Sequence, residues 1–159
     1  MKEKELEVLR ALRQNARETL TTISRKTGIP VSTLFDRLAE YKQHLIIKHT
    51  CLIDYTKLGY DLRVQLLVRL IKGKEDFEKY MVEHLHVNTV YRINNGYDYL
   101  VEAVFKNMKD FTTFTQSLER FAIKERKEFY VLEDIKREAF LTTDTHVKIL
   151  ATPKAVLAS

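Results

Sequence analysis

Four side chains in one short segment have the types and spacing to read a polar surface. Ser32, Thr33, Asp36 and Arg37 lie opposite Leu34, Leu38 and Tyr41, which fall at i, i+4 and i+7, so a helix there buries the apolar stripe and shows the polar side to solvent. The hydroxyls of Ser32 and Thr33 bond donors or acceptors, Asp36 accepts from an exocyclic amine such as cytosine N4, and Arg37 bonds guanine or a phosphate. Phe35 either contacts a thymine methyl or packs beneath a wing that follows this helix. For Arg37 a salt bridge to Asp36, Glu40 or the first helix weighs about as much as a base contact. Upstream, Thr19 is placed to cap a helix, to hold a phosphate, or to do both. Arg17, Arg25, Lys26 and Lys48 are candidates for backbone contacts, and at least some of them are expected to be ordinary solvated charges.

Charge is distributed as this chemistry requires. Residues 1–48 carry ten Lys/Arg against six Asp/Glu, whereas residues 49–159 carry seventeen against sixteen. Nearly all of the net +5 therefore lies in the first third, the pattern of a nucleic-acid-binding head on a neutral body.

Enzyme chemistry finds less support. GxSxG, Walker and HExxH patterns are absent from the sequence,. His84 and His86 are two residues apart, which on a helix points them away from each other and excludes a metal pair. His84 falls on an apolar stripe and reads as a core or interface residue, while His44 and His49 flank two short β-prone runs. Cys51 is the single cysteine; it excludes an internal disulfide framework and reads as a small buried hydrophobe. No apolar run reaches the roughly 18 residues of a membrane span, and Met1 to Glu5 leads straight into an amphipathic pattern without a signal-peptide core. The expectation is a soluble cytoplasmic protein with no cofactor and no metal.

The elements that position these residues follow from periodicity. A first helix is expected from about Lys2 to Gln14, with Leu6, Leu9 and Leu12 inward. A second runs from the Thr19 cap to Thr27 and ends at Gly28, the residue best able to take a left-handed cap. Ile29-Pro30 turns the chain into the third helix. Leu45–Lys48 and Thr50–Ile53 fit a two-stranded wing, and Asp54 onward reads as a connection.

From Leu62 the period drops to two: Leu62, Val64, Leu66, Val68 and Leu70 alternate with mostly polar neighbours, which argues a strand. Phe77, Tyr80, Met81, His84 and Leu85 repeat at helical spacing. Val87–Ile93 and Tyr99–Phe105 are strands around an Asn94-Asn95-Gly96 turn, Phe111, Phe114, Leu118 and Phe121 stripe a further helix, and Phe129, Val131 and Ile135 mark a last strand. Strand, helix, strand, strand, helix, strand is the ferredoxin-like βαββαβ order, with both helices on one face. The open face carries apolar residues and calls for a partner, most simply a second copy of the chain. The expected α+β organisation is a winged helix-turn-helix over 1–53, a linker over 54–61, a dimerisation domain over 62–140, and an extension over 141–159. In that extension His146–Leu150 reads as an extra strand, and residues after Pro153 are expected to be poorly ordered.

In this order and spacing, several local patterns resemble the leucine-responsive regulatory protein (Lrp/AsnC) family. Arg17-Glu18-Thr19 resembles its Arg-x-Ser/Thr entry to the second helix, and Gly28-Ile29 with Ser32–Leu38 resembles its turn and recognition helix. Ile53-Asp54 with Leu58-Gly59-Tyr60 is similar to the family's linker signature, and Gly96–Leu100 to its turn followed by Asp-Tyr-Leu. The resemblance spans roughly residues 5–140. It implies a transcription regulator that binds pseudo-palindromic sites on double-stranded DNA as a homodimer, tetramer or octamer, with no membrane partner. It also implies an amino-acid or other small-molecule effector near the β-turn, where Asn94, Asn95, Gly96 and Asp98 are the matching positions. The chain departs from the family at Pro30, at Asn94-Asn95 in the effector turn, and at Phe121–Lys124 before the last strand. Two other readings share the layout: a ligand-sensing or assembly module without DNA binding, and a siroheme-decarboxylase-like enzyme, for which no distinctive motif matches and Trp is lacking.

Overall fold

The computed structural model describes residues 2–152, and the chain divides into two compact units, Ile53–Ile135 and Met1–Leu52 with Lys136–Ser159. The tail after Pro153, expected to be poorly ordered, lies outside the described residues.

The first unit is helical: α1 (Glu3–Gln14), α2 (Leu20–Thr27), α3 (Val31–His44) and α6 (Asp144–Ala151). Local chemistry sets its boundaries. The Thr19 hydroxyl accepts from the Thr22 amide at 3.2 Å, satisfying one orphan donor at the start of α2. Gly28 closes α2 at φ 67°, a left-handed conformation that costs a glycine nothing. Leu6, Val8, Leu9, Ile23, Ile29, Leu34 and Tyr41 make the core, joined by Leu141 and Val147.

Those last two residues overturn an expectation. His146–Leu150 is helix, not strand: Asp144 sits in the first turn of α6, where a carboxylate suits the helix dipole,, and Val147 with Ala151 one turn later pack on the head's core. The segment entering α6 is fastened to the last turn of α1. Arg13 donates to the Glu138 carbonyl at 2.8 Å and to the Phe140 carbonyl at 3.2 Å, Gln14 donates to the Thr142 carbonyl at 2.7 Å, and Arg10 pairs with Asp144.

The wing is the second correction. Residues 46–54 carry no strand, and Ile47 is fully exposed. The two short runs have no Gly- or Asn-Gly turn between them to set a hairpin register,, and an isolated two-stranded hairpin of this length is marginal in water. Cys51, expected to be buried, is exposed for the same reason.

The second unit is the expected βαββαβ: β1 (Leu62–Leu70), α4 (Lys74–Glu83), β2 (Val87–Arg92), β3 (Tyr99–Phe105), α5 (Met108–Ser117) and β4 (Ile123–Tyr130). The sheet order is β2-β3-β1-β4, with every neighbouring pair antiparallel. Val64, Leu66, Val68, Leu70, Tyr99, Val101, Ala103 and Phe105 face Phe77, Met81, Phe111, Phe114 and Leu118 in one buried layer. β4 begins six residues before the expected Phe129. Its Lys124–Glu128 run has no apolar alternation, and pairing with β1 decides the strand: Val68 sits opposite Arg126 and Leu66 opposite Glu128. Charged residues suit an edge strand. Ile135 lies beyond it and is exposed, as is Leu85, which follows the end of α4.

Candidate DNA-binding surface and effector turn

In the head, Gly28, Ile29 and Pro30 separate α2 from α3, giving the helix-turn-helix geometry in which the second helix is presented to a groove. Ser32 and Asp36 are exposed on its N-terminal half, Thr33 is half-buried, and Phe35 is 67% exposed, which removes its reading as a packing residue within this unit. Arg37 is already engaged: its guanidinium bonds the Glu5 carboxylate of α1 at 2.5 Å, the first-helix salt bridge among its alternatives. The Lys2 amide foremost, and then the Arg37 charge, hold the Glu5 carboxyl below its ordinary range against the opposing effect of burial.

Arg17, Arg25 and Lys48 are exposed, with no ion pair among the described residues, while Lys26 pairs with Glu18 at 3.1 Å. Thr19 is exposed at the mouth of α2, its hydroxyl also 2.9 Å from that of Thr22. The structure thus gathers the sequence candidates around α2 and α3, with Lys48 on the strandless stretch after α3.

In the sheet unit the turn is built as its residues require. Asn95 and Gly96 take φ of 64° and 94°, and the Asp98 amide bonds the Val68 carbonyl at 2.9 Å. Both oxygens of the Asp98 carboxylate are engaged: one accepts from Lys74 Nζ at 2.6 Å, the other from the Leu70 amide at 2.8 Å. These bonds, the Lys74 ammonium foremost, hold its carboxyl below the ordinary range. Asp98 therefore ties the turn to the end of β1 and the start of α4, and Asn94 and Asn95 remain exposed. Beside it, Tyr99 donates to Glu78 at 2.6 Å, and burial first, then that carboxylate, pushes the phenol up to about 12. Glu78 was not among the sequence candidates; only its i+4 spacing from Lys74 hinted that it shares the helix face toward the turn.

Comparison with known proteins matches this geometry. The Lrp/AsnC ligand binding domain matches residues 63–140, and an IclR helix-turn-helix domain matches residues 3–40. The chain belongs to the Lrp/AsnC family of transcription regulators. An uncharacterized HTH-type transcriptional regulator of Pyrococcus furiosus is 26% identical over 136 residues, 84% of this chain and 91% of the relative. The HTH-type transcriptional regulator FL11 of Pyrococcus horikoshii is 27% identical over 109 residues, 67% and 72% of the two chains. A Neisseria meningitidis transcriptional regulator solved in complex with L-Met superposes with a TM-score of 0.80 at 21% identity, covering 86% and 93% of the chains; B. subtilis LrpC gives 0.79 at 16%, covering 86% and 97%. Both share the Lrp/AsnC fold. The family match stops at residue 140, before α6 begins. No helix among the described residues is long and apolar enough to cross a membrane, and no group of three or more His, Cys, Asp or Glu is placed to hold a metal there.

Proposed function

We propose that this Lrp/AsnC protein is a non-enzymatic cytoplasmic regulator that binds specific pseudo-palindromic operators on double-stranded DNA as a homodimer or a multiple of it. The observation that carries this reading is the exposed polar N-terminal half of α3, set behind a tight turn in the more basic third of the chain. Ser32, Thr33 and Asp36 read base edges, and Phe35 meets a thymine methyl. Thr19, Arg17, Arg25 and Lys48 fix the register through phosphates. Arg37 fixes α3 against α1 through Glu5 and turns to DNA when released from it.

One head of this size covers little DNA, so useful affinity needs two heads at half-sites about one turn or a multiple apart. The uncovered sheet face, with Leu67, Leu100 and Val104 half-buried, supplies the self-association surface. Modulation by an amino acid at the Asn94–Asp98 turn is supported by the ligand-binding-domain match and by the structural relative solved with L-Met.

Selection of bound duplexes from a random pool, followed by titration of the winner at several salt concentrations, tests the proposal. An enriched palindrome and a steep negative salt slope are expected. Enrichment of nothing, with no binding at low salt, would overturn it.

A further inference from the structure

The sheet unit holds a cavity of about 520 Å³ at the end of α4 and the flank of α5, within the size range of small-molecule sites. It lies at the opposite end of β3 from the effector turn: Asp98 precedes the first residue of that strand, while His86, in the cavity wall, bonds Val104 near its last. Rings make much of the wall. His84 packs edge-on to Phe114 at 4.8 Å between centroids and stands 5.2 Å from Tyr80.

Apart from one His84 N–H, the side-chain hydrogen atoms of the polar wall that can be traced are committed to the protein. Ser117 Oγ donates to the Phe114 carbonyl at 2.6 Å, so it accepts the proton of Tyr80, whose hydroxyl lies 2.6 Å away, and the phenol oxygen keeps its lone pair. Thr113 donates to the Lys109 carbonyl at 3.1 Å. His86 Nδ1 lies 2.9 Å from the Val104 carbonyl; a carbonyl only accepts, so Nδ1 carries the proton and spends it there. His84 Nδ1 accepts from the His86 amide at 3.2 Å, which leaves its Nε2–H as a lone side-chain N–H donor in the wall. Burial, followed by the neighbouring His86 and Arg120 charges, lowers the His84 pKa and favours this neutral form. Two carboxylates complete the wall, Glu83 and Asp110, the latter accepting one bond from Asn107 at 3.2 Å. Lys and Arg are absent from the wall; the nearby Arg120 guanidinium is spent on the Tyr80 ring, 4.2 Å from its centroid.

A cavity with rings, two carboxylates and acceptors whose protons are used elsewhere is complementary to a ligand that brings donors and positive charge on an apolar body. We propose that this cavity is a second small-molecule site of the protein, taking a compact organic amine whose ammonium meets Glu83 and Asp110 while its apolar part lies against Tyr80, His84 and Phe114. Cation–π attraction to the rings adds to the carboxylate contacts. The site does not depend on DNA binding or on the effector turn.

Protein NMR on the full chain tests it with two probes of the same size, 2-phenylethylamine and phenylacetate. The amine is expected to bind with a dissociation constant on the order of 1 mM or lower, moving amide signals of residues 80–86 and 110–117, while phenylacetate moves none. The doubly neutralised variant Glu83→Gln/Asp110→Asn should weaken the amine about tenfold or more, equivalent to losing about 1.4 kcal/mol. Thr113→Arg, on an exposed position, should abolish binding by placing a guanidinium in the cavity. Both variants must retain the dispersed wild-type spectrum, which separates loss of the site from loss of the fold. Equal binding of phenylacetate, amine-induced shifts confined to residues 94–98, or amine affinity unchanged in both variants would overturn the proposal.

Discussion

The two cores are assembled from different materials and by different routes. The sheet unit buries Phe77, Tyr99, Phe105, Phe111 and Phe114 among aliphatics drawn from one continuous stretch, 64–118. Among its described residues the head has a single buried aromatic, Tyr41, and it takes Leu141 and Val147 from the far end of the chain. A large ring buries more apolar area than an aliphatic side chain, so the sheet unit is held by contacts that form within one segment. The DNA-binding head depends on the return of a distant one. Positive φ at Glu138 and Leu141 marks where that return bends the backbone into a conformation L-residues resist, held there by Arg13 and Gln14.

Substituting Val147 should break this comparison most sharply. Val147 is 1% exposed against α1, and Val147→Asp would put an unpaired charge in the head's core at a cost of about 3–5 kcal/mol. Hydrogen exchange read by mass spectrometry should show lost protection across residues 6–41 and unchanged protection in β1 and β3. Uniform loss across the chain would mean that the two cores are not energetically separate.

The next effect belongs to the sheet unit. Asp98→Ala leaves the Leu70 amide and Lys74 without their acceptor and should cost about 1–3 kcal/mol in chemical denaturation. Because the Lys74 ammonium and the Leu70 amide lower the folded pKa of Asp98 below its unfolded value of 3.8, its contribution is fully present above that value. It is lost as pH falls through the folded pKa. Asp98→Asn should therefore lack this share of the acid-side decline. An unchanged acid limb would remove Asp98 as its source.

The same contrast explains what the residues disclosed in advance. Strands β1 and β3 were legible because their alternation is enforced by burial on one face, and the turn between β2 and β3 because Asn95-Gly96 supplies positive φ. The caps Thr19 and Gly28 acted as local signals and set α2 as read. β4 was misplaced because an edge strand needs no apolar alternation; its partner β1 dictates it. The expected wing does not form because short β-prone runs specify no partner. Sequence alone does not settle α6, because His146–Leu150 is apolar enough for either strand or helix, and the packing on α1 that selects helix is separated from it by more than a hundred residues of sequence. Among site residues, spacing placed Asp36 and Ser32 on an open face but left Arg37 undecided, since its partner Glu5 is reached only through the tertiary fold.

A smaller effect tests the head's local construction. Thr19→Ala removes the acceptor of the Thr22 amide and should lower head stability by about 1 kcal/mol, read as faster exchange of α2 amides. Thr19→Ser should restore most of the protection. Failure of serine to do so would assign the loss to the threonine methyl instead of the cap.

The smallest effect on stability is expected where the effect on function is most informative. Arg17 and Lys124 are both exposed and without an ion pair among the described residues, one in the head and the other on β4. Neutralising either should change stability by less than about 0.5 kcal/mol. A phosphate contact, however, contributes about 0.9 to the slope of log affinity against log salt, so Arg17→Gln in a dimer with two bound heads should flatten that slope by about 1.8. Lys124→Gln should leave it unchanged, because the charge excess that meets DNA is placed in the first third of the chain. Equal flattening by both would spread the phosphate footprint onto the sheet unit, and flattening by neither would make Arg17 a solvated charge and shift the contacts to Arg25, Lys48 and the Thr19 cap.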